Sequence, residues 1–411
     1  MGQLNLAQGE AAGPAYQRIW QLLEGLPHET LLELRGESPD SLTQGWIDLA
    51  LAAHAGEPKN AIAQWRSAYP DHPAPGALLQ RLAEAAPAAV PTRQFTGTVA
   101  LLLPLDQPAY AAAAEAVQAG LMAARGDAAN SVKVYPSRGD GNAVVALYQQ
   151  AVSEGAQYVV GPMVREEVNA LAAAKLNMVP TLALNAADQE PLPENLLTFG
   201  LPVEAEAMQV AQLARARGMQ SAILVAADTP LSKRMEQAFL KEWKAQQGTV
   251  VAQESFASEA SLAALKADLA NHQADMIFLA ANVDQARLVR PCLDPATPTF
   301  AISHIYDGLE QDPENAPLSA IHFVDMPWLV NPDHPDFAPY REAAAKLPPG
   351  EAQRWFAVGV DAWHILAARA AGKSLLLPGL SGTLHMDGNT INRELSMAQF
   401  RSAGVVLEQS N

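Results

Sequence analysis

The sequence predicts an α/β protein: two parallel sheets, each doubly wound by helices, preceded by a small all-α domain. Three observations lead there. The chain has 411 residues, more than one core supports, since single hydrophobic cores stop growing at roughly 250 to 300 residues. Residues 1–86 show helical periodicity and no convincing strand. Beyond residue 95 short apolar runs alternate with helical stretches in two successive series, the pattern of parallel sheets covered on both faces.

In the front segment helices are expected over 15–23, 41–53 and 60–68. The second places Leu42, Gly45, Trp46, Leu49 and Ala53 on one stripe, the spacing of an amphipathic helix. Gly56-Glu57-Pro58 separates the second from the third, and Tyr69-Pro70-Asp71-His72-Pro73 ends the third. Short helices joined by tight turns stack as hairpins in a TPR-like manner, although no strict repeat period is visible. The stretch AEAAPAAVPT at 83–92 is small and proline-marked, the composition of a linker; the linker is placed at 87–94 and the α/β domain at 95–411.

In the first α/β series 99–105 reads as a buried strand followed by an Ala-rich helix. Strands at 132–135, 158–161 and 179–184 follow, with a helix over 143–154. In the second series strands at 222–226, 250–251 and 276–280 alternate with helices over 232–246 and 262–270. Two such series make two lobes. The faces carrying Ala207, Val210, Ala211 and Ala214, and Val360, Trp363 and Ala367, read as lobe core rather than as cofactor contacts.

Composition narrows the function. Hydrophobic residues make up 49% of the chain and charged ones 17%, which suits a globular protein rather than a disordered one. A formal charge of −17 repels a phosphate backbone, and no basic run offsets it, so nucleic acid is not an expected partner. The single cysteine, Cys292, has no thiol to pair with and reads as structural. The longest apolar run, 99–105, is far below the roughly 20 residues that span a bilayer. The first residues, MGQLNL, carry no basic, apolar or cleavage region, so a cytosolic chain and a chain whose leader has been removed both stay open.

A search for chemistry returns near misses. Gly139-Asp140-Gly141 has two glycines of a dinucleotide fingerprint but Val144 stands at the third position, and a turn before a helix is the better reading. His28-Glu29 begins a zincin motif, but Leu32 occupies the second histidine's place. Gly379-Leu380-Ser381-Gly382 is not a nucleophile elbow, and Ser381 reads as a loop residue. Asp333-His334-Pro335-Asp336 offers metal-type ligands but reads as a solvated turn. No catalytic, metal or cofactor-binding residue is expected.

Several segments resemble a known family. VPTLALN at 179–185, FGLPVEAEA at 199–207, FVDMPW at 323–328, RWFAVGVDA at 354–362, SGTLHM at 381–386 and RELSMAQFR at 393–401 occur in the order and spacing of the penicillin-binding-protein activator lipoproteins of the LppC/LpoA type. WRSAYPDHPA at 65–74 looks like the end of that family's repeat-like N-terminal domain, here shorter. The resemblance implies a type I periplasmic-binding-protein fold, in which the chain crosses between lobes three times. The crossings fall near 200–202, 326–328 and 393–397, giving lobe one as 95–201 with 328–392 and lobe two as 202–327 with 393–411.

Ligands in open α/β sheets sit beyond the carboxyl ends of the strands. The candidate cleft residues are therefore Asp106, Gln107, Met163, Val164, Asn185, Asp228, Thr229, Asn282, Tyr306 and Asp307. Amino-acid-binding relatives use hydroxyls and backbone amides of lobe one for a carboxylate, and an aromatic and an acid of lobe two for the ammonium. By that resemblance this chain offers Val164, Asn185 and Ala186, has Val283 in place of the aromatic, and keeps an acidic option only at Tyr306-Asp307. The family implies a non-catalytic regulator, periplasmic and lipid-anchored to the outer membrane, which activates a bifunctional peptidoglycan synthase (a class A penicillin-binding protein). A receptor for a small, amino-acid-like ligand, serving a transporter or sensor, is the alternative.

Overall fold

The computed structural model describes residues 41–53, 58–70 and 72–84, scattered positions between 16 and 35, and most of 95–408. The expected linker at 87–94 lies outside these residues, as does most of the expected helix at 15–23, where Tyr16, Ile19, Trp20 and Leu23 are described and helical. Two compact units form, Met1–Thr92 and Arg93–Asn411.

The first unit contains α1 (Ser41–Ala53), α2 (Pro58–Ala68) and α3 (Gly76–Glu84). Pro58 opens α2 two residues before the expected start, because a proline at the first helical position gives up only an N–H that has no partner there. Trp20, Leu31, Trp46, Leu49, Ile62, Trp65 and Leu79 form the core. Polar atoms lace it: the Trp65 indole donates to the Gly45 carbonyl at 2.8 Å and the Tyr69 hydroxyl to Asp48 at 2.7 Å.

The second unit starts with β1 (Thr98–Leu103), α4 (Ala111–Arg125), β2 (Ser131–Pro136), α5 (Gly141–Ser153), β3 (Ala156–Val160), α6 (Arg165–Ala173), β4 (Thr181–Ala183) and β5 (Leu196–Thr198). It continues with α7 (Val203–Ala216), β6 (Ser221–Ala227), α8 (Pro230–Ala245), β7 (Thr249–Phe256), α9 (Leu262–Leu269), β8 (Met276–Ala280), α10 (Val283–Val289), β9 (Thr299–Ala301) and β10 (His322–Asp325). The rest is α11 (Pro327–Val330), α12 (Arg341–Ala344), α13 (Glu351–Ala370) and the strands β11 (Leu376–Pro378), β12 (Thr383–Asp387), β13 (Thr390–Glu394), β14 (Ser396–Arg401) and β15 (Gly404–Leu407).

The sheets run β11-β12-β13-β5-β4-β3-β1-β2 and β15-β14-β10-β9-β8-β6-β7. Their parallel parts repeat one winding order, β2-β1-β3-β4-β5 and β7-β6-β8-β9-β10, the doubly wound α/β arrangement expected. Central strands β1, β6 and β8 are apolar on both faces and almost wholly buried, whereas the edge strand β2 is largely exposed. The chain leaves the first sheet after β5, returns after β10, and leaves again between β13 and β14. Arg393 and Glu394, expected in lobe two, still pair with Leu384 and Thr383 in the first sheet and so belong to lobe one; the last passage falls at Leu395.

Helices α4 and α13 pack backbone to backbone on the first sheet. A Cβ on Gly120 would lie 2.0 Å from the Phe356 carbonyl oxygen, and one on Gly359 would lie 2.1 Å from that of Val117. Mid-helix glycine costs about 1 kcal/mol of helix propensity, so close approach is what these two positions gain. Gly359→Val is expected to destabilise the protein by about 1–3 kcal/mol or more through overpacking, read as a lower urea midpoint by far-UV circular dichroism.

Candidate functional site: the cleft loops and the interlobe junction

The loops after the strands flank the cleft, and most of the candidate groups on them serve local structure. Asp106 is exposed and faces Arg138 at 3.8 Å, an ion pair open to solvent on both sides that contributes little. The Gln107 carbonyl accepts from the backbone N–H groups of Tyr110 and Ala111, turning the chain into α4. Met163 and Val164 are buried, and Val164 is the residue that opens α6. Asn185 ties two loops together: its amide donates to the Met163 carbonyl at 3.0 Å and its oxygen accepts from the Ala186 N–H at 2.9 Å.

Lobe two repeats the pattern. Asp228 pairs with Lys233. Thr229 caps α8 by accepting from the Ser232 N–H at 3.1 Å, and Asn282 caps α10 in a reciprocal box with Gln285, as such residues do at helix starts. Tyr306 is buried with its ring against Phe323 and Phe400. Asp307 accepts from Arg287 at 3.0 Å and from the Leu309 N–H at 3.0 Å.

The structure draws together a set of charges that carried no role in the sequence. The middle and C-terminal part of α13 belongs to lobe one, its Val358, Ala362 and Ile365 packing with Val99, Leu101 and Leu182. From its N-terminal turn Arg354 reaches into lobe two. Its guanidinium donates to Asp325 at 3.2 and 2.5 Å, to the Ser303 carbonyl at 3.0 Å and to the Tyr306 carbonyl at 2.8 Å. Burial penalises this charge, but Asp325, with Glu206 and Glu351, outweighs the penalty and holds the guanidinium above its ordinary range. Ser303 continues the chain, donating from N–H and hydroxyl to Glu206 of α7 at 3.2 and 2.6 Å. Glu206 then accepts from Arg393 of β13, back in lobe one, at 3.2 Å.

Side chains in this run are nearly sealed from solvent: Arg354 is 11% exposed, Asp325 1%, Arg393 3% and Glu206 5%. Beside them Gln209 of α7 clamps the last crossing, its amide donating to the Leu395 carbonyl at 2.9 Å and its oxygen accepting from the Leu395 N–H at 3.1 Å. A single apolar cluster spans the lobes, running from Val210, Leu224 and Phe278 through Met326, Trp328 and Leu395 to Phe356, Ala357 and Val360. The sequence signal for Arg354 was a charge abutting a helix face of Phe356, Val360 and Trp363, since an arginine there must be paired if buried.

A cavity of about 50 Å³ remains at the crossings, lined by residues including Asn185, Phe199, Pro202, Glu206, Gln209 and Arg393. Ligand pockets run to roughly 300–1,000 Å³ and a single water takes about 30 Å³, so this space suits water and not a solute. Asn185 is the one candidate cleft residue on its wall. Asp361, also missed, lies fully buried on α13 and accepts from the Leu380 N–H at 2.9 Å and from the Ser381 N–H and hydroxyl at 2.7 and 2.6 Å. Ser381 is thus a buried anchor of its loop. His334 opens a short 3₁₀ turn by accepting from the Asp336 N–H at 3.4 Å. Among the described residues no group of three or more His, Cys, Asp or Glu side chains is arranged to hold a metal ion, and no helix is long and apolar enough to cross a membrane.

Known proteins are similar to this chain in sequence and fold. A family model described as "LppC putative lipoprotein" matches residues 3–403. The penicillin-binding protein activator LpoA of Photobacterium profundum is 25% identical over 95% of this chain and 70% of its own length. The crystal structure of full-length LpoA from Haemophilus influenzae superposes with a TM-score of 0.67 at 20% identity, over 98% of this chain and 76% of that one. A structure from Chromobacterium violaceum, described as a "putative branched-chain amino acid ABC transporter", superposes with a TM-score of 0.63 at 32% identity, over 74% of this chain and 99% of that one. With its two doubly wound lobes and a family match that runs almost end to end, the chain belongs to the LppC family.

Proposed function

We propose that this protein is a non-catalytic regulator that binds a bifunctional peptidoglycan synthase, a class A penicillin-binding protein, and raises its crosslinking activity. The observation that carries this reading is the junction between the lobes. The cleft's inner end holds a buried charge network and a space of about 50 Å³, while most of the loop groups that would hold a solute cap helices, staple loops or form ion pairs instead. A cleft whose loop groups serve the local structure offers few side chains to a solute, which favours recognition by the outer surface. Membership of a lipoprotein family, and the name penicillin-binding protein activator borne by a relative, support the choice of partner. In this reading Asp106, Gln107, Asp228, Thr229 and Asn282 belong to the rim of the cleft and not to a ligand set.

A periplasmic position with a lipid anchor in the outer membrane belongs to the same proposal. Cys292 is not that anchor, because its thiol is half-buried in lobe two and donates to the Leu262 carbonyl at 3.7 Å.

The test is reconstitution of peptidoglycan synthesis with the cognate synthase. Adding the purified protein is expected to raise the fraction of crosslinked peptides and to give a complex on sedimentation. If neither is seen, the regulator reading fails. A small-molecule thermal-shift screen tests the receptor alternative, since a ligand at 100 times its Kd stabilises by about 2.7 kcal/mol; no saturable shift is expected.

A further inference from the structure

We propose that the outer edge of the second sheet, strand β15, takes up an extended segment of the synthase, which adds as a further strand and sets a carboxylate on Arg401. That the partner is the synthase rests on the function proposed above; the place of docking comes from the edge itself. Among the described residues the two sheets end in four edge strands. Three carry charges or prolines of the kind that keep an edge from pairing with other chains: Lys133 and Pro136 in β2, Glu254 in β7 and Pro378 in β11. Strand β15 reads GVVL and has neither, and its Val406 and Leu407 are 50% and 38% exposed.

The ladder fixes which backbone groups are open. Phe400 donates its N–H to the Ile321 carbonyl at 3.0 Å and accepts from the Ala320 N–H at 2.8 Å, so its groups face away from Val405, the residue opposite it on β15. The Glu408 N–H donates to the Met397 carbonyl at 2.8 Å. Bonded and non-bonded pairs alternate along an antiparallel ladder, so Val405 and Leu407 turn their N–H and C=O groups outward. Two donors and two acceptors at strand spacing therefore line the open edge. By register the side chains of His322, Gln399, Arg401, Val406 and Glu408 share one face. They border a recess of about 410 Å³, a volume that seats a small ligand and so has room for side chains arriving from the edge.

The same register selects the side chains of the segment. On an added antiparallel strand the residue opposite Val406 lies against its exposed methyl groups, and the residue two further on lies opposite Gly404 on the same face. Gly404 places no side chain between that residue and Arg401, two strand spacings of roughly 5 Å each away. Arg401 is exposed, and its guanidinium has no hydrogen bond or ion pair among the described residues. An apolar residue followed two positions on by Asp or Glu fits both places. A second copy of this chain offers that pattern in Val406 and Glu408. Its Glu408, however, is already held by His322 and, at 2.7 Å, by Arg217, and two chains of charge −17 repel one another. The edge therefore suits a segment of another protein.

Hydrogen exchange and binding on the full chain test this, with the purified cognate synthase as the probe. In the complex the amides of 404–408 are expected to exchange about tenfold more slowly than in the free protein, because the outward N–H groups of Val405 and Leu407 gain acceptors. Leu407→Pro removes one of those N–H groups and leaves the bonds to β14 in place, as prolines on sheet edges do; Arg401→Glu reverses the charge. Each is expected to raise the Kd for the synthase about tenfold while keeping the far-UV circular dichroism of the unmodified protein. Should Leu407→Pro not fold, Arg401→Glu, at an exposed side chain, carries the test. A complex in which 404–408 exchanges at its free rate, or folded variants that bind with the unmodified Kd, overturns docking at β15 and leaves the proposed function standing. A dimer of the protein alone that Arg401→Glu dissolves puts a second copy at this edge and also overturns it. If the unmodified protein forms no complex with the synthase, the functional reading falls and the docking with it.

Discussion

Arg354→Leu is expected to lower the stability of the α/β unit by about 3–5 kcal/mol, the loss found when one partner of a buried ion pair is removed. The reason lies less in the attraction that disappears than in what stays behind. Asp325 is 1% exposed, and without the guanidinium it keeps the Met326 N–H at 2.8 Å as its remaining hydrogen bond to a neighbour. The carbonyls of Ser303 and Tyr306 also lose a donor. The variant Arg354→Leu/Asp325→Leu removes both charges and is expected to recover most of that loss, because apolar replacement of a whole buried pair is often neutral or stabilising. A urea titration of the unmodified protein and both variants measures the difference. If the single variant unfolds at the unmodified midpoint, the pair is not structurally important.

What could be read from the sequence follows from how far each signal reaches along the chain. Strands β1, β6 and β8 were legible because a parallel strand buried on both faces is a continuous apolar run, and TVALLL and MIFLA are such runs. The turn at Gly139-Asp140-Gly141 was legible because the feature is local: Asp140 caps α5 by accepting from the Asn142 N–H at 2.9 Å. The strands β11 to β15 were not read. They pair antiparallel among themselves with mixed exposure, as in Thr383–Asp387, where one residue of five is buried, so hydropathy alone does not separate them from loops.

The junction was out of reach for a different reason. Arg354 and Asp325 are 29 residues apart, and Arg393 and Glu206 are 187 apart; periodicity places each on its own element but does not say which charges meet. The family words at 199–207, 323–328, 354–362 and 393–401 contain Glu206, Asp325, Arg354 and Arg393. The segments that carried the resemblance are therefore those that build the contact between the lobes, while the cleft loops, chosen by position on the sheet, hold caps and staples.

Asp361 offers the second large effect, and it appears as pH dependence. Its carboxyl is fully enclosed, and burial pushes it up from 3.8 to about 6, against the opposing pull of the Ser381 hydroxyl and N–H, the Leu380 N–H and the Arg393 charge. Burial, and after it the Asp361 charge, push the Tyr340 hydroxyl up in turn. A folded-state value above the unfolded one means that the folded protein binds the proton more tightly. The resulting stabilisation is complete below about 3.8, fades as pH rises through about 6, and is absent at neutral pH.

The difference of about 2 pH units corresponds to roughly 3 kcal/mol at about 1.4 kcal/mol per unit. Asp361→Asn cannot titrate, so the stability difference between the unmodified protein and this variant is expected to grow in favour of the unmodified protein by about 2 kcal/mol between pH 7 and pH 4, most of the full effect. Taking the difference cancels the titration of carboxylates remote from Asp361. The variant also turns one acceptor of the Leu380–Ser381 loop into a donor facing a donor, so at pH 7 the offset between the two proteins sets that lost hydrogen bond, worth about 1–3 kcal/mol, against relief of a buried charge. Urea midpoints at several pH values separate the two contributions, because only the charge varies with pH. A difference that stays flat from pH 4 to pH 7 would mean that Asp361 holds its loop as an ordinary carboxylate, and that burial on α13 does not govern its proton.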